Sequence, residues 1–237
     1  MTATFVFFHV GPDIEQAEML VRSIRATNPG CVIIQCSSED TPEIRGVTRV
    51  SRSRGDPSNL MTYRLLAFAS LGLTHPAIYL DTDMLVLSAI EPAGLLGEFE
   101  VALCQRDFDR ELLHSGSQRG VDFPEHRHRP LGEVYPFVAC ATVTRGFEFW
   151  KRLTAILGDL DSRFHRWYGD QEAMLLWVEQ ESGGRFSVLP ETVFGCLPEK
   201  VSSLDGVKVL HFKGHARKPL MPKIFDAVFG HKQSTGV

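Results

Sequence analysis

Thr4-Phe5-Val6-Phe7-Phe8-His9-Val10 is an almost unbroken apolar run, and Gly11-Pro12 ends it. A short run of this kind, without polar alternation, fits a strand buried on both faces, as in a parallel sheet. From Asp13 to about Thr27 the period changes to that of a helix. Ala17, Leu20, Val21 and Ile24 share one face, and Asn28-Pro29-Gly30 stops the pattern. Cys31 to Gln35 then reads as a second strand. This β-α-β opening predicts a right-handed crossover and an α/β fold with a doubly wound, mostly parallel sheet. Ligands of such sheets bind outside the carboxyl ends of the strands. That rule puts His9, Val10 and Gly11 on a binding rim, although a turn alone also accounts for Gly11.

Further along, Ala77-Ile78-Tyr79-Leu80 leads directly into Asp81-Thr82-Asp83, followed by Met84-Leu85-Val86-Leu87. Ionised carboxylates are rarely enclosed unless paired or coordinating a metal. In an extended chain, residues two apart point to one face, about 7 Å apart. Like charges so placed repel, and a divalent cation between them reverses the sign. An acidic pair at a strand end also occurs as a simple turn, and the apolar flanks favour the hard-metal reading.

A second helix is expected from Ser58 to Gly72. Its rows Leu60/Arg64/Ala67/Leu71 and Met61/Leu65/Phe68 are apolar except for Arg64. Arg64 either meets an anionic partner or extends its head to water. Glu100 to Gln105 and Phe137 to Thr144 read as strands, Gly146 to Leu157 and Asp170 to about Glu181 as helices. Short strands are expected at Phe186 to Leu189 and Val207 to Phe212. Between them, Arg106 to Tyr135 shows no clear period, which marks a functional loop, a lid or disorder. Its His126 and His128 lack a second ligand pair at zinc spacing, so a solvated histidine cluster is expected. One unit over residues 1–230 is expected, with a frayed tail at 231–237.

Two other segments carry candidate chemistry. Val207 to Phe212 delivers His211 to a strand end, after which Gly214 permits close backbone approach and Lys218 adds a point charge suited to phosphate. With Asp81 and Asp83, His211 makes an oxygen-plus-imidazole set that suits Mn²⁺ or Mg²⁺ better than structural zinc. Gly169-Asp170-Gln171 opens a helix, with Asp170 suited to the N-cap and Glu172 to the dipole.

The chain has 237 residues, 43% hydrophobic and 23% charged, as in ordinary soluble domains. The net charge of -4 argues against general affinity for nucleic acid or anionic membrane. Arg45, Arg49, Arg52 and Arg54 read as a solvated basic face. The five cysteines are odd in number and form no Cys-x-x-Cys, which suggests reduced, structural thiols and a cytoplasmic protein. No basic leader precedes the first strand, and no apolar stretch approaches the ~18 residues that span a bilayer.

In order and character, Met61-Thr62-Tyr63-Arg64-Leu65-Leu66, Tyr79-Leu80-Asp81-Thr82-Asp83, Asp170-Gln171 and His211-Phe212-Lys213-Gly214…Lys218-Pro219 resemble the glycogenin-like retaining glycosyltransferases. That family includes bacterial lipopolysaccharide glucosyl- and galactosyltransferases. The resemblance spans roughly residues 4–219. It implies a Rossmann-like GT-A fold and transfer of a hexose-type sugar from a nucleotide-diphosphate donor, with UDP favoured, to a hydroxyl of a glycan, glycolipid or other acceptor.

By the same resemblance, Asp81, Asp83 and His211 would hold Mn²⁺ at the donor diphosphate, with Thr82 between them at the donor site. Gly214 and Lys218 would hold the diphosphate, and Arg64 would contact donor sugar and phosphate. Asp170 would bond sugar hydroxyls, with Gln171 beside the anomeric carbon. His9 and Val10 would lie near nucleobase and ribose, and the acceptor would meet residues 106–135. The chain departs from the family pattern where Val138-Ala139-Cys140-Ala141 replaces an Asn-Ala-Gly or Asn-Ser-Gly step. It departs again where three residues, His215-Ala216-Arg217, separate Gly214 from Lys218 in place of the usual two, which leaves Arg217 as an alternative phosphate contact. Two other readings stay open: a metal-dependent phosphohydrolase with Asp81 as nucleophile, and a nucleotide-sugar-binding module without catalysis.

Overall fold

The computed structural model describes residues 2–180 and 183–230. The first strand, β1 (Thr4–Phe8), is followed by α1 (Glu15–Thr27), β2 (Val32–Ser37) and β3 (Arg49–Arg52). Next come α2 (Leu60–Ser70), β4 (Ala77–Leu80), β5 (Met84–Val86), α3 (Pro92–Leu96) and β6 (Val101–Gln105). The middle segment holds a small hairpin, β7 (Ser117–Gln118) with β8 (Val121–Asp122), and one helical turn, α4 (Leu131–Val134). The rest runs through β9 (Phe137–Thr144), α5 (Glu148–Gly158), α6 (Ser162–Arg166), α7 (Gly169–Gln180), β10 (Ser187–Pro190), α8 (Glu191–Phe194), β11 (Val209–His211) and α9 (Met221–Phe229).

Seven strands form the central sheet in the order β10-β6-β9-β4-β1-β2-β3. The pairs β1–β2, β1–β4, β2–β3 and β10–β6 are parallel, while β9 runs antiparallel to both β4 and β6. The mixed α/β class with a mostly parallel sheet therefore matches the expectation from the opening β-α-β pattern. Period two explains how one strand feeds two cores. Phe5 and Phe7 of β1 enter a core shared with Ala17, Leu20, Val21 and Ile24 of α1. Val6 points the other way, towards Met61, Leu65 and Phe68 of α2 and Trp150 of α5. Each such fully buried side chain contributes about 1.5–3 kcal/mol of transfer free energy.

Helix α1 carries Glu15 and Glu18 in its first turn and Arg25 in its last, matching the dipole at both ends. It closes as the Asn28 amide bonds Ile24 O, and Gly30 turns the chain at φ +79°. The helix starts at Glu15 rather than Asp13, and β2 runs to Ser37 rather than Gln35.

Outside the main sheet, β5 and β11 form an antiparallel pair in which His211 faces Met84. Leu85, Leu210 and Phe212 pack there against Met221, Phe225 and Phe229 of α9. Strand β11 is shorter than the expected Val207 to Phe212, because the chain leaves the pair at both ends. Residues 231–237, expected to fray, and the far end of the helix expected to reach Glu181 lie outside the described residues.

The stretch from 106 to 135 is not the structureless loop that its lack of period suggested. Its backbone is closed by the β7–β8 hairpin, a bridge between Leu113 and Pro130, and hydrogen bonds from His114 N to Arg129 O and from His128 N to His114 O. His126, expected as solvated, is buried together with His114 beside Phe123, Tyr135 and Phe164. Aromatic packing between rings 9 to 38 positions apart has no fixed period, so it leaves no periodic trace in the sequence. His128 is exposed, with φ +65°.

Candidate active site

The parallel register of β1 with β4 sets Phe7 opposite Leu80. His9 and Asp81 therefore leave the sheet at one edge, the carboxyl edge of both strands. Between β4 and β5 the chain makes a turn at Thr82 and Asp83. The two carboxylates thus converge through a turn and not through strand alternation, which corrects the extended geometry expected for Asp81-Thr82-Asp83. Strand β11 lies against β5, and the Phe212 amide bonds Asp83 O at 2.8 Å. That pairing carries His211 to the turn from the far end of the sequence.

Ligand atoms of Asp81, Asp83 and His211 lie within 4.8 Å of one another, the one such group among the described residues. Two carboxylates and one imidazole converging at a cavity are a donor set for a hard divalent cation such as Mn²⁺ or Mg²⁺, and the residues fit that ion. His211 Nε2 is 3.5 Å from Asp83 Oδ1, and Lys218 Nζ is 3.2 Å from Asp83 Oδ2. Burial works to raise the Asp83 carboxyl, but His211 and Lys218 outweigh it and hold the group well below the usual carboxylate range. The His211 imidazole is raised. Burial opposes its charge, and Cys140 and Asp83 beside the ring overcome that.

Arg64 sits at the centre of a second relay. It bonds Asp81 Oδ1 at 3.0 Å, Asp170 Oδ2 at 3.2 Å and the Ala139 carbonyl at 2.7 Å. The guanidinium therefore has anionic partners and does not extend to water, which decides between the two readings of its apolar row. Asp81, 31% exposed, opens onto the cavity, while Asp170 is enclosed at 6%. Asp170 is not the N-cap that its sequence position suggested. Helix α7 already begins at Gly169, Tyr168 accepts the Glu172 amide, and Asp170 Oδ1 accepts the Gln171 amide at 2.8 Å from within the first turn. A Cβ on Gly169 would come within 2.1 Å of the Phe164 carbonyl oxygen, so only glycine lets the chain enter the helix here.

A cavity of about 410 Å³ opens at this edge. It gathers Arg64, Asp81, Asp83, Asp170, Gln171, His211, Gly214 and Lys218 from four separate parts of the chain. His9, Val10, Gly11 and Thr82 do not line it. The His9 amide bonds Cys36 O, and its ring nitrogen Nε2 is enclosed without a partner. Gly11 adopts φ +110° and donates to Thr41 Oγ1, so a backbone turn explains it. The alternative phosphate contact, Arg217, lines the cavity too, but pairs with Glu199 at 2.5 Å and bonds the Lys213 carbonyl.

Several lining residues went unmarked in the sequence. Arg106 is buried; its Nε donates to Tyr135 O and its Nη2 to Gln171 Oε1 at 2.9 Å. Cys140 is enclosed next to His211, in the step where the resemblance leads one to expect asparagine. Lys213 Nζ is enclosed with no hydrogen-bond partner. Period two would have found Lys213, since it stands two positions beyond His211 on a strand-like segment. Gln118, Arg119 and Leu131 bring the middle segment to the mouth of the cavity, where Arg119 lies 4.2 Å over the Trp167 ring. Arg119 and Tyr168 both hold positive φ, 51° and 62°, a strained choice for such side chains that clusters at binding surfaces.

All five cysteines are free and buried, and burial pushes the Cys36 thiol up to about 12. None of the helices among the described residues is long and apolar enough to cross a membrane.

No protein-family model and no curated relative matches the sequence. Solved structures do. The apo-form glycosyltransferase GlyE of Streptococcus pneumoniae TIGR4 superposes with a TM-score of 0.60 at 15% identity, over 99% of this chain and 63% of GlyE. A second GlyE structure gives the same score over 64% of its length. A glycosyltransferase involved in glycosylation of the major capsid of PBCV-1 superposes at 0.59 with 13% identity, over 94% of this chain and all of that one. This chain thus spans under two thirds of GlyE. At such identities the likeness establishes the fold, which is of the GT-A type.

Proposed function

We propose that this chain is a metal-dependent glycosyltransferase that moves a hexose-type sugar from a nucleotide-diphosphate donor, favouring UDP, to an acceptor hydroxyl. One observation carries the reading: Asp81, Asp83 and His211, drawn from opposite ends of the fold, meet within 4.8 Å at the carboxyl edge of a GT-A-type sheet. Arg64 and Lys218 stand on either side of them. The glycogenin-like resemblance and the glycosyltransferase neighbours point the same way.

When bound, Mn²⁺ or Mg²⁺ would neutralise charge on the leaving diphosphate. The chain's own residues do the remainder. Lys218 and the Gly214 backbone bind the diphosphate, with Arg217 flanking. Arg64, held by Asp81 and Asp170, places a fixed positive charge beside the breaking bond, in a site where no reorganisation is needed. The anomeric carbon–oxygen bond breaks with its electron pair going to the diphosphate. The acceptor oxygen bonds that carbon and its proton passes to the departing phosphate oxygen. Attack on the same face retains configuration, with Asp170 and Gln171 orienting the oxocarbenium-like centre. Residues 106–135 border the cavity mouth and form the acceptor side. His9 and Val10, off the cavity wall, border the nucleobase end.

Thermal denaturation with a panel of nucleotide-sugars and Mn²⁺ tests this reading, because a ligand that binds the folded state raises the melting temperature by mass action. A shift with UDP or a UDP-sugar that disappears with chelator is expected, followed by slow donor hydrolysis. Hydrolysis of an aryl phosphate with no response to any nucleotide would return the phosphohydrolase instead. Binding without any donor turnover would return the catalytically silent module.

A further inference from the structure

We infer that Lys213 and Arg106 form an anion subsite inside the cavity, apart from the diphosphate contacts, which selects a substrate sugar carrying a carboxylate or phosphate group. This rests on the donor-site reading above and narrows its substrate class.

Both side chains line the same cavity and repel each other electrostatically. An ammonium shut away from solvent costs several kcal/mol unless paired, yet Lys213 Nζ is enclosed and contacts no acceptor. Phe212, turned fully into the core, fixes the backbone between His211 and Lys213 and commits Lys213 to the cavity side. Arg106 leaves its charge equally unanswered, since both its acceptors, the Tyr135 carbonyl and the Gln171 amide oxygen, are neutral.

Nearby acids, Glu191 and Asp109, attract Lys213 from beyond ion-pair distance, and Glu191 Oε1 is enclosed without a hydrogen-bond partner. Glu191 Oε2 accepts the Asp107 and Phe108 amides, Asp107 Oδ2 accepts the Glu191 amide, and neither forms an ion pair with Lys213. Asp83 is matched by Lys218 and His211, and Asp81 and Asp170 by Arg64. Two cations thus face one cavity with no carboxylate in ion-pair contact with either among the described residues. Arg106 holds Gln171, the residue proposed to stand beside the anomeric carbon, so the unanswered charge lies at the sugar end and not at the diphosphate end.

A charged sugar can enter as donor or as acceptor, and the two are separable. Wild type, Lys213→Met and Lys213→Arg would be titrated calorimetrically with Mn²⁺ present. The ligands are UDP alone, UDP-glucose against UDP-glucuronate, and, with UDP bound, glucose against glucose 6-phosphate. The charged ligand should bind wild type about tenfold or more tightly in one of the two pairs, as one charge-assisted hydrogen bond supplies. Lys213→Met should erase that preference, Lys213→Arg should keep most of it, and affinity for UDP alone should stay within about twofold in both.

A preference in the first pair assigns the subsite to the donor, and in the second to the acceptor. Equal binding of charged and neutral ligands in both pairs would overturn the subsite while leaving the donor reading intact. So would a preference that survives Lys213→Met, or a variant that only melts lower, since Lys213 would then serve Glu191 alone. Absence of any Mn²⁺–UDP binding to wild type would overturn the donor reading, and the subsite with it.

Discussion

Arg64 and Asp170 are 106 positions apart in sequence and 3.2 Å apart in space. Through the same guanidinium, Asp170 at the start of α7 is tied to Asp81 at the end of β4. The relay makes the position of the proposed sugar-binding carboxylate depend on the proposed metal-binding turn.

Removing Arg64 while keeping both carboxylates should therefore cost stability as well as activity. Arg64→Met leaves Asp81 and Asp170 facing each other without a counter-charge. Breaking one partner of an enclosed pair typically costs about 3–5 kcal/mol, and water in the open cavity should hold the loss near or below the lower figure. Urea denaturation measures it. The double variant Arg64→Met/Asp170→Asn should recover part of the loss, and failure to recover any would remove the ion-pair account.

The metal assignment is tested by Asp83→Asn, which keeps the shape and deletes the charge. Loss of Mn²⁺-dependent UDP binding should exceed the ~10–100-fold typical of a supporting residue, with the far-ultraviolet spectrum unchanged. An undiminished Mn²⁺ effect in isothermal titration would exclude Asp83 as a ligand.

Acidity should control metal uptake with a definite sign. A raised His211 stabilises the metal-free fold while protonated. That contribution is complete below about 6.5 and is lost as pH rises through the higher folded-state value. Metal needs the neutral ring, so uptake releases this proton and affinity grows with pH until it reaches the raised folded-state value of about 10. Asp83, depressed, stays ionised throughout this range and does not shape it; its own stabilisation is lost only in acid. Titrations in buffers of different ionisation enthalpy should register close to one proton released per ion at neutral pH. His211→Gln should show none.

The middle segment should loosen in mild acid. Burial and the neighbouring His126 lower the His114 value, so its contribution is present above about 6.5 and is lost as pH falls through the depressed one. Amides closed by His114, including its own bond to Arg129 O and that of His128 to His114 O, should exchange faster at pH 5 than at pH 7 after correction for intrinsic rates. Strands β1 and β4 should not change. His114→Phe should remove the difference, and hydrogen exchange read by mass spectrometry decides it.

Local sequence carried much of this architecture because its signals are themselves local. The Thr4–Phe8 run, the α1 stripe of Ala17, Leu20, Val21 and Ile24, and the strand Phe137–Thr144 were all legible from periodicity. Arg64 was legible as an anomaly on an apolar row, but its partners were not, since 17 and 106 positions separate it from Asp81 and Asp170. Arg106 and Lys213 stayed silent because each borders a strand end, where a basic residue reads as surface. His126 misled for a related reason. Polar composition around it implied solvent, while the aromatic rings that enclose it, Tyr135 and Phe164, stand outside any common period.

Strand β11 belongs to no part of the main sheet; it pairs with β5 beside the acidic turn and bridges to Cys196 on its other side. Biosynthesis must therefore finish all seven central strands before the last of the proposed metal ligands, His211, arrives. A polypeptide cut short just upstream of Val209 would encode every central strand and yet only two corners of the proposed three-cornered grip. Competence, on this topology, is conferred by the tail end of synthesis.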